Sequence, residues 1–418
     1  MKIGGLNMSS TNANVDRLSL LPDWEQASYP KDGNPAGHWS IALTSITLTT
    51  SLILIHRVLK LCKTSQVKLF RLHCSESLIG NTNVPKWINE AVKLNVCELD
   101  IQVIIRELPL SLFTCKTLTT LRLAIGGCDS DVLNVPTIPS GVTLPCLKTL
   151  DIRVFNEPFV NVCKLIYACP ILESLSLSLE KRRWREDNQE YSFNIPTLKR
   201  FELRTPRCTS SISKVVLNVP NVEYLILGGF LSSVFLMEDL MSLVEATVLE
   251  YKHLVIELLK GLSGVKSLSW STSTFGVPLD FPLPKFRNLK RLEFKRFSCF
   301  GWFLMFEVLQ RSCELEHLCI EEAEEFFWKE PQSVPTCVLL KLRSMKFISL
   351  KRGECDIKFI EYLLANAKVL KTLTIISEIW PPADEMRLCE QFMKFPSASG
   401  CCEIQFVRKW SHFYNKLA

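Results

Sequence analysis

From position 118 to position 375 the chain repeats one short phrase about every 25 residues. The phrase is a leucine, two residues, a second leucine, one residue, then another apolar side chain. Its clearest copies read CKTLTTLRL (115–123), LPCLKTLDI (144–152), CPILESLSL (169–177), IPTLKRFEL (195–203) and VPNVEYLIL (219–227). Further copies are FRNLKRLEF (286–294), CELEHLCI (313–320) and AKVLKTLTI (367–375). Their leading apolar residues are Leu118, Leu147, Leu172, Leu198, Val222, Leu243, Val265, Leu289, Leu315, Leu342 and Leu370, in steps of 21 to 29 residues. Leu243 and Leu342 head degenerate copies that stand where the period requires one. Alternation makes a short strand, and the rest of each period brings the chain back to start another. One such unit cannot bury its apolar face alone, so the copies must stack into a solenoid.

The connectors say which kind. After Ile152 the segment PFVNVCKLIYACP places Phe159, Val162, Leu165 and Ile166 at helical spacing, and WFLMFEVLQRSC does the same with Trp302, Met305, Phe306 and Leu309. Near the end, Asp356 is positioned to cap a helix through Phe359, Ile360, Leu363 and Leu364. The pattern predicts an α/β leucine-rich-repeat solenoid, a curved parallel sheet with helices on its convex side. Ahead of the regular copies, 67–74 (VKLFRLHC) and 97–105 (CELDIQVII) alternate like strands, and 84–92 reads as a helix that tolerates Pro85 near its start. These look like irregular first turns. A plausible helix at 56–61, a loop at 24–37 and a polar leader at 1–14 precede them.

Composition excludes some functions. A net charge of +6 over 418 residues is too dilute for a nucleic-acid surface. The sharpest basic cluster, Lys181, Arg182, Arg183 and Arg185, is followed at once by Glu186 and Asp187, as in a solvated loop. Seventeen cysteines contain no Cys-x-x-Cys pair; Cys115, Cys169 and Cys313 stand just before repeat leucines, as small buried residues would. With no signal peptide at the start, this predicts a reducing compartment, cytoplasmic or nuclear. The uncharged stretch 41–55 is 15 residues long and rich in Ser and Thr. A spanning helix needs about 20 mainly apolar residues, so a buried or poorly ordered segment is expected instead.

Two blocks extend the reading. Residues 16–23 (DRLSLLPD) resemble the opening of a plant F-box, in which Leu-Pro begins the first helix. Residues 330–354 (EPQSVPTCVLLKLRSMKFISLKRGE), 359–375 (FIEYLLANAKVLKTLTI) and 395–406 (FPSASGCCEIQF) resemble the FBD domain, and CPILE at 169–173 is typical of the same proteins. The chain thus resembles the plant F-box/FBD/LRR-repeat family over roughly 67–407. The resemblance implies a solenoid ending in an FBD cap. It further implies that Leu21 and Pro22 face a Skp-type adaptor of a cullin ubiquitin ligase. It breaks after Asp23, because 24–55 shows neither the leucine-rich helix nor the Ser-Lys-Arg-Trp stretch of a family F-box. The expected organisation is a flexible leader (1–15), an F-box remnant with a non-family insert (16–55), the solenoid (56–330), the FBD domain continuing it (331–407) and a tail (408–418). The implied role is the substrate-recognition subunit of an SCF ubiquitin ligase. The alternative is an F-box-defective protein-binding module with no ligase link.

Strand parity nominates the recognition surface. If Leu121 and Leu123 point inward, Thr120 and Arg122 point outward. The same rule exposes Thr149 and Asp151, Ser174 and Ser176, Arg200 and Glu202, Tyr224 and Ile226. It continues through Ser267 and Ser269, Arg291 and Glu293, His317 and Cys319, Thr372 and Thr374. Charges of both signs on neighbouring rungs suit a protein or peptide partner. Arg and aromatic residues most often anchor interfaces, so the candidate substrate-binding set is Arg200, Glu202, Tyr224, Arg291, Glu293 and His317. No His-Glu-x-x-His, nucleophile elbow or phosphate-cradling glycine loop is present, and the acidic run Glu321, Glu322, Glu324 and Glu325 reads as a charged loop. No enzymatic activity, metal or cofactor is expected.

Overall fold

The computed structural model describes residues 18–22, 39–46, 66–74, 83–105, 108–126, 141, 143–155, 159–180, 190–205, 213–229, 233–237, 240–249, 256–271, 283–295, 299–321, 330–350, 354–377 and 382–408. The leader, the loop at 24–37, the helix expected at 56–61, the basic cluster at 181–185 and the acidic run after Glu321 lie outside them. The chain divides into two compact units, Met1–Ile171 and Leu172–Ala418.

In the first unit the strands are β1 (Leu18–Pro22), β2 (Trp39–Ile46), β3 (Val67–Cys74), β4 (Glu98–Ile105), β5 (Thr120–Gly126) and β6 (Thr149–Phe155). They pair in chain order; β1 runs antiparallel to β2, and all other pairs are parallel. Helix α1 (Val84–Lys93) buries Val84, Trp87, Ile88 and Ala91, the one-face spacing that its sequence predicts. Helix α2 (Phe159–Tyr167) buries Val162, Leu165 and Ile166.

The 41–55 stretch begins as strand: its residues to Ile46 belong to β2, and the remainder lies outside the described residues. Among the described residues no helix is long and apolar enough to cross a membrane. At Leu21 and Pro22 the structure departs from the helix start that the resemblance implied. Both residues are extended in β1, with Leu21 opposite Ser40 and Pro22 opposite Trp39. The sequence after Asp23 lacks the leucine-rich pattern of a family F-box, so it offers nothing to prolong a first helical turn, whose formation costs more than it returns. An edge strand also tolerates a proline's missing N–H.

The second unit contains β7 (Ser174–Glu180), β8 (Glu190–Asn194), β9 (Arg200–Arg204), β10 (Ser213–Asn218), β11 (Tyr224–Gly228), β12 (Ser233–Met237), β13 (Glu245–Leu249), β14 (Ser267–Ser271), β15 (Arg291–Lys295), β16 (His317–Glu321), β17 (Ser344–Ile348), β18 (Thr372–Ser377) and β19 (Glu403–Arg408). Strands β7, β9, β11 and β13 to β19 form one parallel ladder in unbroken register. The backbone carbonyl before each strand accepts the N–H from the next coil in phase: Lys199 N to Glu173 O at 2.8 Å, Glu223 N to Lys199 O at 2.8 Å, and so on to Glu403 N to Lys371 O at 2.8 Å. Inward positions form continuous apolar rows. Leu175, Phe201, Leu225, Ala246, Leu268, Leu292, Leu318, Met345 and Leu373 are each no more than 1% exposed. Burying each large side chain among them contributes roughly 1.5–3 kcal/mol. At β19 the row thins, and Ile404 and Phe406 are half-buried.

The expected helices lie behind the later coils: α3 (Ile256–Gly261), α4 (Cys299–Gln310), α5 (Thr336–Leu340), α6 (Glu354–Asn366) and α7 (Pro382–Met393). Behind the coils between Leu172 and Leu243 the backs are strands instead, and β8, β10 and β12 form a second parallel sheet in the order β12-β10-β8. Five or six extended residues span as far as a helix of about eleven, at roughly 3.3 against 1.5 Å per residue, so compact connectors favour strands. Phe193 of β8 joins the two layers, with its ring centroid 5.0 Å from that of Phe201.

Two local expectations need correction. Asp356 is a buried residue inside the first turn of α6, not its cap. There its carboxylate still meets the positive end of the helix dipole. Cys115 and Cys169 are buried as expected, but Cys313 is exposed. The buried slot is three residues before the repeat leucine, and in CELEHLCI that position belongs to Ser312. Its hydroxyl donates to Val308 O at 2.6 Å, as the Cys169 thiol donates to Leu165 O at 3.2 Å.

Candidate protein-interaction face

Inward leucines force the alternate side chains out, and the strands show it. β15 reads exposed, buried, half-buried, buried, half-buried, and β9 and β13 alternate likewise. Because the register is unbroken, the outward residues form rows across the strands. The first row runs Ser174, Arg200, Tyr224, Glu245, Ser267, Arg291, His317, Ser344, Thr372 and Glu403. The second contains Glu202, Ile226, Thr247, Ser269, Glu293, Cys319 and Lys346.

The six candidates fall into two groups. Arg200 and Tyr224 are direct neighbours, with the guanidinium carbon 4.6 Å from the ring centroid, a cation–π pairing that pre-shapes both side chains. Glu202 is tied to Arg204 on its own strand. In the second group, Arg291 pairs in register with His317. Glu293 accepts a hydrogen bond from Ser269 Oγ at 2.9 Å and lies 3.3 Å from Lys295 Nζ. Partial burial and then the Arg291 charge push the His317 imidazole below its usual pKa. Next to it, the hydrogen bond from Lys290 draws the Glu316 carboxyl down, with further help from Lys290 and Arg343 charge.

Reading strand parity only from clear phrases missed Glu245 and Thr247 on β13 and Ser344 and Lys346 on β17. Their leucines fit the period, and applying the same outward rule to the degenerate copies would have found them. A second omission lies in the first unit. Asp100, an outward residue of β4, is only 3% exposed. It accepts from Arg71 Nε at 2.8 Å and Gln102 Nε2 at 3.0 Å, and His73 Nε2 lies 3.2 Å away. Burial opposes its charge, but the bonds from Gln102, His73 and Arg71 outweigh burial and lower its pKa. Such a pinned carboxylate organises the face and is not itself open to a partner. Among the described residues no three His, Cys, Asp or Glu side chains converge as a metal site would require.

Comparison with known proteins gives this architecture its family. A family model described as the LRR repeats of FBD-associated F-box protein At5g56370 matches residues 84–251, and the FBD model matches 330–375. The F-box/LRR-repeat protein At3g60040 of Arabidopsis thaliana is 31% identical over 77% of this chain and 73% of its own length. The chain belongs to the F-box/FBD/LRR-repeat family. Arabidopsis thaliana F-box/FBD/LRR-repeat protein At1g78750 is 27% identical over 81% of this chain and 79% of its own length, and F-box/FBD/LRR-repeat protein At4g26340 is 28% identical over 77% and 78%. No solved structure matches. The family names point to a protein-interaction module of the F-box kind. Within this F-box/FBD/LRR-repeat protein, the FBD match begins between β16 and β17 and ends in β18. Those strands are in register with the repeat strands before them, so the FBD segment supplies further rungs of the same ladder.

Proposed function

We propose that this F-box/FBD/LRR-repeat protein is the substrate-recognition subunit of an SCF-type ubiquitin ligase. The outward rows of its strands hold a substrate protein, and the module contributes binding with no chemistry of its own. The observation behind the reading is the register. It gathers Arg200, Tyr224, Arg291 and His317 into one row, with Glu202 and Glu293 in the next. Rigid aromatic and guanidinium anchors on a fixed sheet are what protein interfaces favour. The cysteines described are free thiols, which suits the cytoplasm or nucleus.

A second reading has its own support. Leu21 and Pro22 sit on an extended edge strand where an adaptor-gripping helix would begin, and a specific interface buries roughly 800 Å² on each partner, more than such a remnant offers. Under this reading the protein captures partners without a ligase link. Size-exclusion chromatography of the purified full chain with a purified Skp-type adaptor separates the two. Co-elution supports the ligase subunit. Separate elution, with co-elution restored by grafting a complete F-box, leaves the binding module alone.

A further inference from the structure

The charges on the strand face of the second unit are not evenly cancelled. On β7 to β13, Lys199 meets Glu173 at 3.2 Å, Arg204 meets Glu202, and Arg200 lies on the Tyr224 ring; Glu223 and Glu245 add negative charge. On β14 to β18 the balance reverses. Glu316 serves both Lys290 at 3.2 Å and Arg343 at 3.8 Å, while Lys295 lies between Glu293 at 3.3 Å and Glu321 at 3.8 Å. Those two clusters cancel each other. Four cations remain: Lys266, Arg291, Lys346 and Lys371. Among the described residues none of the four has a carboxylate within ion-pair distance, and no carboxylate on these five strands or their leading rim is left without a cation.

From this we infer that the face over β14 to β18 takes an extended acidic segment of a partner protein, with its carboxylates on Lys266, Arg291, Lys346 and Lys371. The inference rests on the strand face being the docking surface. Five adjacent strands span four gaps of about 4.8 Å, near 19 Å, which about six extended residues cover. Alternate residues of an extended chain share a side, so about three carboxylates face the sheet together. Interleaved Glu293, Glu316 and Glu321 disfavour a continuous phosphodiester backbone, which has no gaps in its charge to place against them. A peptide can set Ser or Thr at those points.

The test is fluorescence anisotropy on the full chain with three dye-labelled probes. They are a peptide of about eight residues alternating Glu and Ser, its Gln-for-Glu counterpart, and a single-stranded oligonucleotide of matching length. The acidic peptide should bind, weaken about tenfold or more in the Arg291→Gln/Lys346→Gln double variant, and lose affinity with added salt. Lys260→Gln, on helix α3 and off the strand face, should leave its affinity unchanged, and circular dichroism confirms that each variant is folded. Equal affinity for the Gln peptide, still lost in the double variant, overturns the acidic inference while keeping the face as the docking surface. Peptide binding that no strand-face substitution alters removes the docking surface itself. Tighter binding of the oligonucleotide than of the acidic peptide overturns the choice of a protein partner.

Discussion

Phe359 offers the sharpest test of how the FBD segment is held. It is fully buried on α6, and among the described residues the rings of Trp302, Phe306 and Phe347 meet it. Trp302 packs edge-on at 4.8 Å and 77°, Phe306 at 5.6 Å and 89°, and Phe347 at 6.1 Å and 81°. Trp302 and Phe306 belong to α4, Phe347 to β17, so one side chain ties the coil of β17 and α6 to the helix α4 that follows β15. Phe359→Ala removes the transfer free energy of a whole ring and leaves a cavity that its rigid aromatic neighbours cannot close. Buried Phe→Ala changes cost about 3–5 kcal/mol, and edge-to-face ring contacts place this one at the upper end. Phe359→Leu keeps most of the volume and should cost about half as much. Urea denaturation gives the totals, and native-state hydrogen exchange gives the location. In a solenoid, stability is a sum over neighbouring coils, so opening should become easier near the lesion. Amides of β17 and β18 should exchange faster by about three decades, with 1.4 kcal/mol for each tenfold, while those of β7 and β9 keep their protection. A loss below about 1 kcal/mol would refute the ring cluster as the joint between coils. Equal acceleration from β7 to β18 would refute coil-by-coil stability.

Gly229 follows β11 with φ +101°, and a Cβ there would fall 2.2 Å from Thr205 O. Gly229→Ala should therefore cost about 2–3 kcal/mol in chemical denaturation. At Gly264 an added Cβ would meet nothing within 4 Å, so alanine should be accepted at no cost or with a gain of about 0.5 kcal/mol in the same assay. In the first unit, Asp100→Asn should cost about 1–2 kcal/mol at neutral pH, less than a fully enclosed pair because the Arg71 side chain is 37% exposed. The folded pKa of Asp100 lies below its unfolded value, so this contribution is complete above the unfolded pKa of about 3.9 and lost as pH falls through the folded one. Wild type and variant should thus converge in urea stability as the medium is acidified; a constant gap down to low pH would contradict the charge-based account.

The ladder was legible because each inward residue answers to apolar neighbours at the same position above and below. A leucine at Leu198 is held by the coils of Leu172 and Val222, so one rule repeated many times leaves a visible period. The backs of the coils obey no such rule. Between Leu172 and Leu243 the chain had only to return, and EYSFN and SKVVLN return as strands where helices were expected. Cys313 was misplaced by one position because CELEHLCI is a residue shorter ahead of its leucine than CPILESLSL, which hands the buried slot to Ser312. Leu21 and Pro22 were read through a resemblance whose continuation is absent. Local sequence cannot start a helix that the following residues do not prolong.

Outward residues answer to whatever docks on them, which the chain itself does not contain. Register nevertheless turns a list of such residues into distances. Tyr224 and Arg291 are three strand spacings apart, about 14 Å, with Glu245 and Ser267 between them. A small molecule held by the Arg200–Tyr224 pair cannot also reach Arg291 and His317. An extended polypeptide lying across the strands can engage both, and each added contact then costs less ordering than the first, because the sheet has already fixed where the next anchor stands. The spacing of the anchors thus favours a chain-like partner over a compact one.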